Sequence, residues 1–259
     1  MNTAAWSASR LSRVEDAGLN ASAPPQQRWV DGWLVRLCPG KAKRARCVNA
    51  LAAGRLPLAE RLALVEADFR AAGLPLVLRI TPFTQPGSLD ADLDVLGLHR
   101  FDPTHVLVAD LGALPAVAGL PPGLDLHLEG PQAYAATIGA LRGSPVDQQL
   151  AHAERLATSP VPYQGWVLRR GADVLACGQT AREGEQVGLY DVFTAPEARG
   201  QGLSTALCAE LLRRARGDGA RSAYLQVDVA NAPALKVYRR LGFVHGYDYH
   251  YRARDPAAA

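Results

Sequence analysis

One run of residues limits the possible folds of this chain more than any other: Val192-Phe193-Thr194-Ala195-Pro196-Glu197-Ala198-Arg199-Gly200-Gln201-Gly202-Leu203-Ser204. It reads as a strand, a short turn with two glycines, then a helix. A helix that opens this way leaves its first backbone N–H groups without intrahelical partners. Together with the positive end of the helix dipole they form an anion site of pyrophosphate size. Gly200 and Gly202 let the backbone approach a ligand with no Cβ in the way. Arg199 adds a permanent positive charge at the rim.

The elements around this run repeat. In the second half, Trp166–Arg170 and Val174–Thr180 read as hairpin strands about Gly171-Ala172-Asp173, and Val187–Thr194 as the next strand. The spacing predicts a helix over Leu203–Arg216, because Leu203, Leu207, Leu211 and Ala215 form one apolar stripe. Ala223–Val229 alternates apolar and polar residues as a half-buried strand does. A short helix to Arg240, the turn Leu241-Gly242-Phe243 and a strand near Tyr247–Arg252 follow. The first half shows the same order: strands at Trp33–Leu37 and Arg46–Leu51, a helix over Leu58–Ala72, a strand at Leu76–Ile80, a short helix over Leu89–Leu96, and a strand at His105–Asp110. Leu58 and Leu203, like Leu96 and Leu241, are 145 residues apart. That shared offset predicts a duplication, with halves at 1–113 and 124–259 joined by a Pro/Gly/Ala-rich linker at 114–123. Residues 1–28 add one amphipathic helix (Leu11, Val14, Leu19).

The two halves are not equivalent. At the same offset Pro57, which has no N–H, stands where the second half has Gly202. A cradle of amides loses a donor there, so the second half is expected to hold the phosphate ligand. The turn has neither the Lys-Ser/Thr ending of a nucleoside triphosphate loop nor the three-glycine spacing of a dinucleotide site.

Composition narrows the function classes. The 259 residues are 48% apolar and 20% charged, with a net charge of +3, too small to imply nucleic acid. No apolar run approaches the ~20 residues needed to cross a bilayer. Met1-Asn2-Thr3-Ala4-Ala5-Trp6 lacks a secretory pattern, so a cytoplasmic setting is expected. The cysteines Cys38, Cys47, Cys177 and Cys208 show no metal spacing; Cys38 and Cys47 flank a predicted hairpin, and packing as small core side chains is the main expectation. Six histidines are scattered, and no metal is expected; His245 and His250 either line a pocket or pack. The basic cluster Lys41–Arg46 reads as a solvated turn or as a contact for nucleic acid or an acidic acceptor.

Two motifs together resemble the GNAT-type N-acetyltransferase superfamily. The first is Arg199-x-x-Gly202-x-Ser204 between strand and helix. The second is Asn231, Ala234 and Tyr238 followed by Leu241-Gly242-Phe243. The likeness is detailed over Trp166–Arg252, and the whole chain is similar to two-half bacterial members with a degenerate N-terminal half. It implies an α/β fold of tandem GNAT-like halves, each a mixed, mostly antiparallel sheet flanked by helices.

The resemblance further implies acetyl-CoA as co-substrate and direct transfer to a primary amine of a small molecule or peptide. It implies that the backbone of Val192, Phe193 and Thr194 holds the pantetheine and acetyl group. Arg199, Gly200, Gln201, Gly202, Leu203, Ser204 and Thr205 would grip the pyrophosphate, Asn231 would contact the cofactor arm, and Tyr238 would be the general acid. Several family members carry a glutamate base where this chain has Gln226. Asp191 is the expected replacement, Asp228 or a water chain the alternatives. A monomer or homodimer is expected, with no nucleic-acid or membrane partner. A non-catalytic acyl-CoA-binding sensor remains the other reading.

Overall fold

A computed structural model describes residues 6–40 and 42–259. Its elements, in chain order, are α1 (Ala8–Ala21), β1 (Gln27–Val30), β2 (Trp33–Arg36), β3 (Val48–Ala50), α2 (Leu58–Ala71), β4 (Leu78–Ile80), α3 (Leu89–Val95), β5 (His99–Asp110), β6 (Asp125–Glu129), α4 (Pro131–Arg142), α5 (Val146–Thr158), β7 (Tyr163–Arg170), β8 (Asp173–Glu183), β9 (Gln186–Thr194), α6 (Leu203–Gly217), β10 (Ser222–Asp228), α7 (Ala232–Arg240) and β11 (Val244–Ala253). Among the described residues, no helix is long and apolar enough to cross a membrane.

The chain condenses into two compact units, and neither is continuous in sequence. One holds the residues up to Ala21 and Val106–Gly246; the other holds Ser22–His105 and Tyr247–Ala259. The expected linker 114–123 therefore lies inside the first unit. Each expected half also lends a segment to the other unit: α1 packs on β9, and the end of β11 pairs with β4. An apolar stripe and a strand pack where they can be buried, whatever their distance along the chain.

The first unit carries the glycine turn. Its strands run in the order β5-β10-β9-β8-β7-β6, antiparallel from β6 to β9 and parallel between β9 and β10. Helix α6 covers one face with Leu203, Leu207, Leu211 and Ala215, the stripe read from the sequence. Helices α4 and α5 cover the other, where Tyr134, Ile138, Leu156, Val167 and Cys177 close a separate apolar cluster. Strand alternation divides β8 between these layers: Ala176 packs in the α6 core and Cys177 under α4 and α5. At Gly178 the side-chain position is taken by Leu211, Val192 and Leu207 at van der Waals distance.

The α4–α5 hairpin is tight. Gly143 ends α4 in the left-handed region at φ 63°, and the Ser144 N–H returns to the Gly139 carbonyl at 2.9 Å. Gln149 of α5 lies against Gly139, where any side chain would collide with it, and its Nε2 donates to the Ser144 carbonyl at 2.8 Å.

The second unit orders its strands β1-β2-β3-β4-β11, antiparallel except for the parallel β3–β4 pair. Its core is Trp33, Val35, Val48, Leu62, Val65, Phe69, Leu78, Leu89 and Leu93. The order β3-α2-β4-α3-β5 matches β9-α6-β10-α7-β11, and α2 and α6 begin 145 residues apart, as do β5 and β11. All four cysteines are free and buried, so Cys38 and Cys47 form no disulfide.

Candidate active site

The parallel register between β9 and β10 runs from Ser222↔Gln186 to Leu225↔Leu189. Immediately beyond it β9 bulges. Cys177 pairs with Phe193 and Gln179 with Tyr190, so Asp191 and Val192 together face one residue of β8, Gly178. Asp191 takes up the extra residue in the left-handed region at φ 49°, which an aspartate tolerates better than most residues. The bulge turns Val192 to the α6 layer and Phe193 to the α4–α5 side. The backbone of Val192, Phe193 and Thr194 thus borders the place where β9 and β10 stop pairing.

The chain then enters the glycine turn. Gly200 and Gly202 sit at φ 77° and 75°, with open space where each side chain would be. Those dihedrals require glycine, and nothing from the protein fills the volume beside them. Helix α6 has no side-chain cap, and its first internal hydrogen bond runs from the Ala206 N–H to the Gly202 carbonyl at 3.1 Å. The N–H groups of Leu203, Ser204 and Thr205 precede that bond and are left for a partner outside the helix. Exposed Arg199 donates from Nε to the Thr194 carbonyl at 3.3 Å, and its guanidinium lies 5.7 Å from the Phe193 ring centre. Exposed Gln201 completes the turn.

The corresponding place in the second unit is filled by the protein itself. The N–H groups of Arg55 and Leu56 donate to the Asp31 carboxylate at 2.8 to 3.0 Å. Arg61 adds a contact of 3.5 Å to the same group. Those backbone bonds hold the Asp31 carboxyl below its usual range. The asymmetry read from Pro57 thus has a second component, an internal carboxylate seated on the amides ahead of α2.

Tyr238 is buried on α7, edge-on to Phe243 at 5.9 Å. Burial, reinforced by the nearby Cys208, pushes its hydroxyl well above the usual tyrosine range. It therefore stays protonated at any physiological pH. Cys208 is buried too, its thiol pushed up to about 12 despite a hydrogen bond with Ser204. A thiol held neutral in this way is a poor nucleophile.

The structure gives four carboxyl and amide residues their surroundings. Asp191 is clamped: Arg142 Nη1 lies 3.1 Å from Oδ1, and His152 Nε2 3.1 Å from Oδ2. Burial works to raise its pKa, but the apposed His152 and the charges of Arg142 and Arg155 outweigh it and hold the carboxyl far below the usual range. A carboxylate stabilised in this way is a weak base, which bears against the role expected of Asp191. Asp228 accepts the Ala230 N–H at 2.7 Å in a turn. Asn231 caps α7, accepting the Ala234 N–H at 3.2 Å, and remains exposed. Gln226 keeps a buried Oε1 with no hydrogen-bond partner.

Other expectations resolve into packing. His250 bonds Asp90 at 2.8 Å within the second unit. In the basic cluster, Lys43 pairs with Asp102 at 2.6 Å and Arg44 reaches the Tyr249 hydroxyl at 3.4 Å; Lys41 lies outside the described residues. What sequence reasoning missed is the α4–α5 hairpin, with Arg142 and His152. Gly130-Pro131 and Ser144-Pro145, each a helix start with proline at or beside its first position, were its available signals.

Residues 8–252 match the family described as "Probable histone acetyltransferase Rv0428c C-terminal". The chain belongs to that family. Among solved structures, a GCN5-related N-acetyltransferase from Kribbella flavida superposes with a TM-score of 0.70 at 20% identity, covering 95% of both chains. A tandem GNAT protein from the clavulanic acid biosynthesis pathway gives 0.58 at 17% identity, over 76% of this chain and 70% of its own. These likenesses make the fold a GNAT fold. A mycothiol acetyltransferase of Actinosynnema mirum is 32% identical over 165 residues, 57% of this chain and 54% of that protein. The chain thus spans about half the length of that curated relative.

Proposed function

We propose that this protein is an N-acetyltransferase that moves the acetyl group of acetyl-CoA directly to a primary amine. The observation that carries the reading is the junction of β9 and α6. There a parallel strand pair stops at Leu225↔Leu189, a bulge follows, and two positive-φ glycines lead into an uncapped helix with empty space before its amides. Membership of an acetyltransferase family across residues 8–252 supports it.

In this reading the amides from Gly200 to Thr205, with Arg199 and Gln201 at the rim, bind the pyrophosphate. The half-buried backbone of Val192, Phe193 and Thr194 pairs with the pantetheine arm as an added strand would, and Asn231 contacts that arm. A backbone N–H near Phe193 or Thr194 donates to the acetyl oxygen as it gains charge. Tyr238 supplies the proton to the departing thiolate. A thiol near 8.5 and a tyrosine raised above 10 make that transfer uphill by more than roughly 2 kcal/mol, which an overall barrier of many kcal/mol absorbs. Both buried thiols pushed to about 12, Cys177 and Cys208, favour direct transfer over an acetyl-cysteine intermediate.

Calorimetry with acetyl-CoA, ATP and NAD tests the cofactor: saturable binding of acetyl-CoA alone is expected. Thiol release from acetyl-CoA in the presence of glucosamine, spermidine, an aminoglycoside and a lysine peptide tests the reaction. Binding without turnover on any amine would favour the acyl-CoA sensor.

A further inference from the structure

With Asp191 ionised and clamped, the acetyl transfer proposed above still needs a group to take the amine's proton. The α4–α5 side of the β9 bulge offers one. His152 stands on α5 with its Nε2 buried and 3.1 Å from Asp191 Oδ2, while its ring keeps 18% of its surface open. Asp191 cannot turn away, because Arg142 Nη1 holds the other oxygen at 3.1 Å. Tyr134 braces the imidazole edge-on, with ring centres 6.5 Å apart at 83°. The partner of His152, Asp191, directly precedes Val192, the first residue of the backbone assigned to the acetyl group. Nε2 is the ring nitrogen nearer that carboxylate, at 3.1 Å without hydrogen-bond geometry, so protonation there places the lone pair on Nδ1.

We infer that His152 is the catalytic base of this site, with Asp191 and Arg142 as its positioning residues. The inference rests on the proposed acetyl transfer. As the neutral amine attacks, an N–C bond forms at the acetyl carbon and the C–S bond breaks, its electron pair leaving on sulfur. His152 Nδ1 takes the proton shed by the amine nitrogen and passes it to solvent. The thiolate takes the Tyr238 proton, and the tyrosinate is reprotonated from solvent, so no net proton is gained or lost. Asp191 stabilises the imidazolium while it exists, as the third member of a nucleophile–base–carboxylate triad does. Arg142 and Arg155 also act on the Asp191 carboxylate, and Tyr134, with Cys177 beside its hydroxyl, packs on the imidazole.

The test compares wild-type protein with His152→Gln and Asp191→Asn. Activity is read as thiol release with acetyl-CoA and the amine panel, and histidine tautomers are read by NMR on 15N-labelled protein. His152→Gln should lower kcat/KM by about 100-fold or more, leave the acetyl-CoA Kd within twofold, and move the acid limb of the pH profile up towards the amine's own pKa. Asp191→Asn should lower kcat without changing acetyl-CoA affinity and abolish the Nε2–H preference of His152. A His152→Gln enzyme with wild-type rate and pH profile overturns the inference, as does a wild-type His152 protonated on Nδ1. If wild-type protein binds acetyl-CoA and acetylates nothing, the proposed function falls instead, a result the tautomer measurement does not share.

Discussion

Gly165→Ala should cripple the α4–α5 side of the site without touching any candidate site residue. A Cβ built at Gly165 on β7 lies 2.5 Å from Tyr134 Cδ2, 2.6 Å from Cγ and 2.9 Å from Cβ. Those atoms are the rigid root of a fully buried ring, not the end of a flexible chain. Ordinary contact needs at least about 3.5 Å, so α4 must lift by roughly 1 Å or the strand must bend. Overpacking of this kind costs about 1–3 kcal/mol. In a chain of this size that lowers Tm by about 2–12 °C. Because Tyr134 braces His152 and α4 carries Arg142, turnover should fall further than stability suggests, while acetyl-CoA affinity, set at the α6 end, stays within twofold. Thermal unfolding and calorimetry measure the two effects. The decisive control is the Tyr134→Leu background, where the Gly165→Ala penalty should drop below about 1 kcal/mol, since interacting sites are non-additive. A wild-type melting point for Gly165→Ala, or a penalty undiminished beside Leu at 134, would refute the reasoning.

Three further outcomes are expected. Gly202→Ala puts a side chain into open space but forces φ 75° on it, a strain of about 1–2 kcal/mol, so acetyl-CoA affinity by calorimetry should fall about tenfold with little loss of fold. Tyr238→Phe keeps the packing on Phe243 and removes the proposed acid, so kcat should fall by about 100-fold or more with the acetyl-CoA Kd unchanged; an unchanged kcat removes Tyr238 from the chemistry. Asp31→Ala unseats the carboxylate ahead of α2 and should lower Tm at neutral pH. Since the folded carboxyl lies below its unfolded value, its contribution is complete above about pH 3.9 and is lost as pH falls through the folded value, so the Tm gap should close in acid.

The glycine turn was legible because it is local. Gly200 and Gly202 adopt the dihedrals that only glycine takes freely, and the Leu203–Leu207–Leu211–Ala215 stripe buries as read. The duplication was legible for the same reason: helix periods and turn glycines recur at a fixed offset. Asp191 illustrates the limit. Its type and place on β9 suggested a base, but the sequence gives no sign that Arg142 and His152, 49 and 39 residues earlier, converge on it. A pKa belongs to the charges that fold around a group, and those partners come from another layer.

Backbone preference and hydrophobic period act over a few residues, so the order of strands and helices, the anion-ready mouth of α6 and the missing amide at Pro57 are written in the chain directly. Long-range burial obeys no such spacing. It sent α1 onto β9 and the last strand onto β4, seated Asp31 over the amides ahead of α2, and set the imidazole of His152 against a bulge, because apolar surface and unpaired charge are satisfied by whichever partner the packed chain brings near.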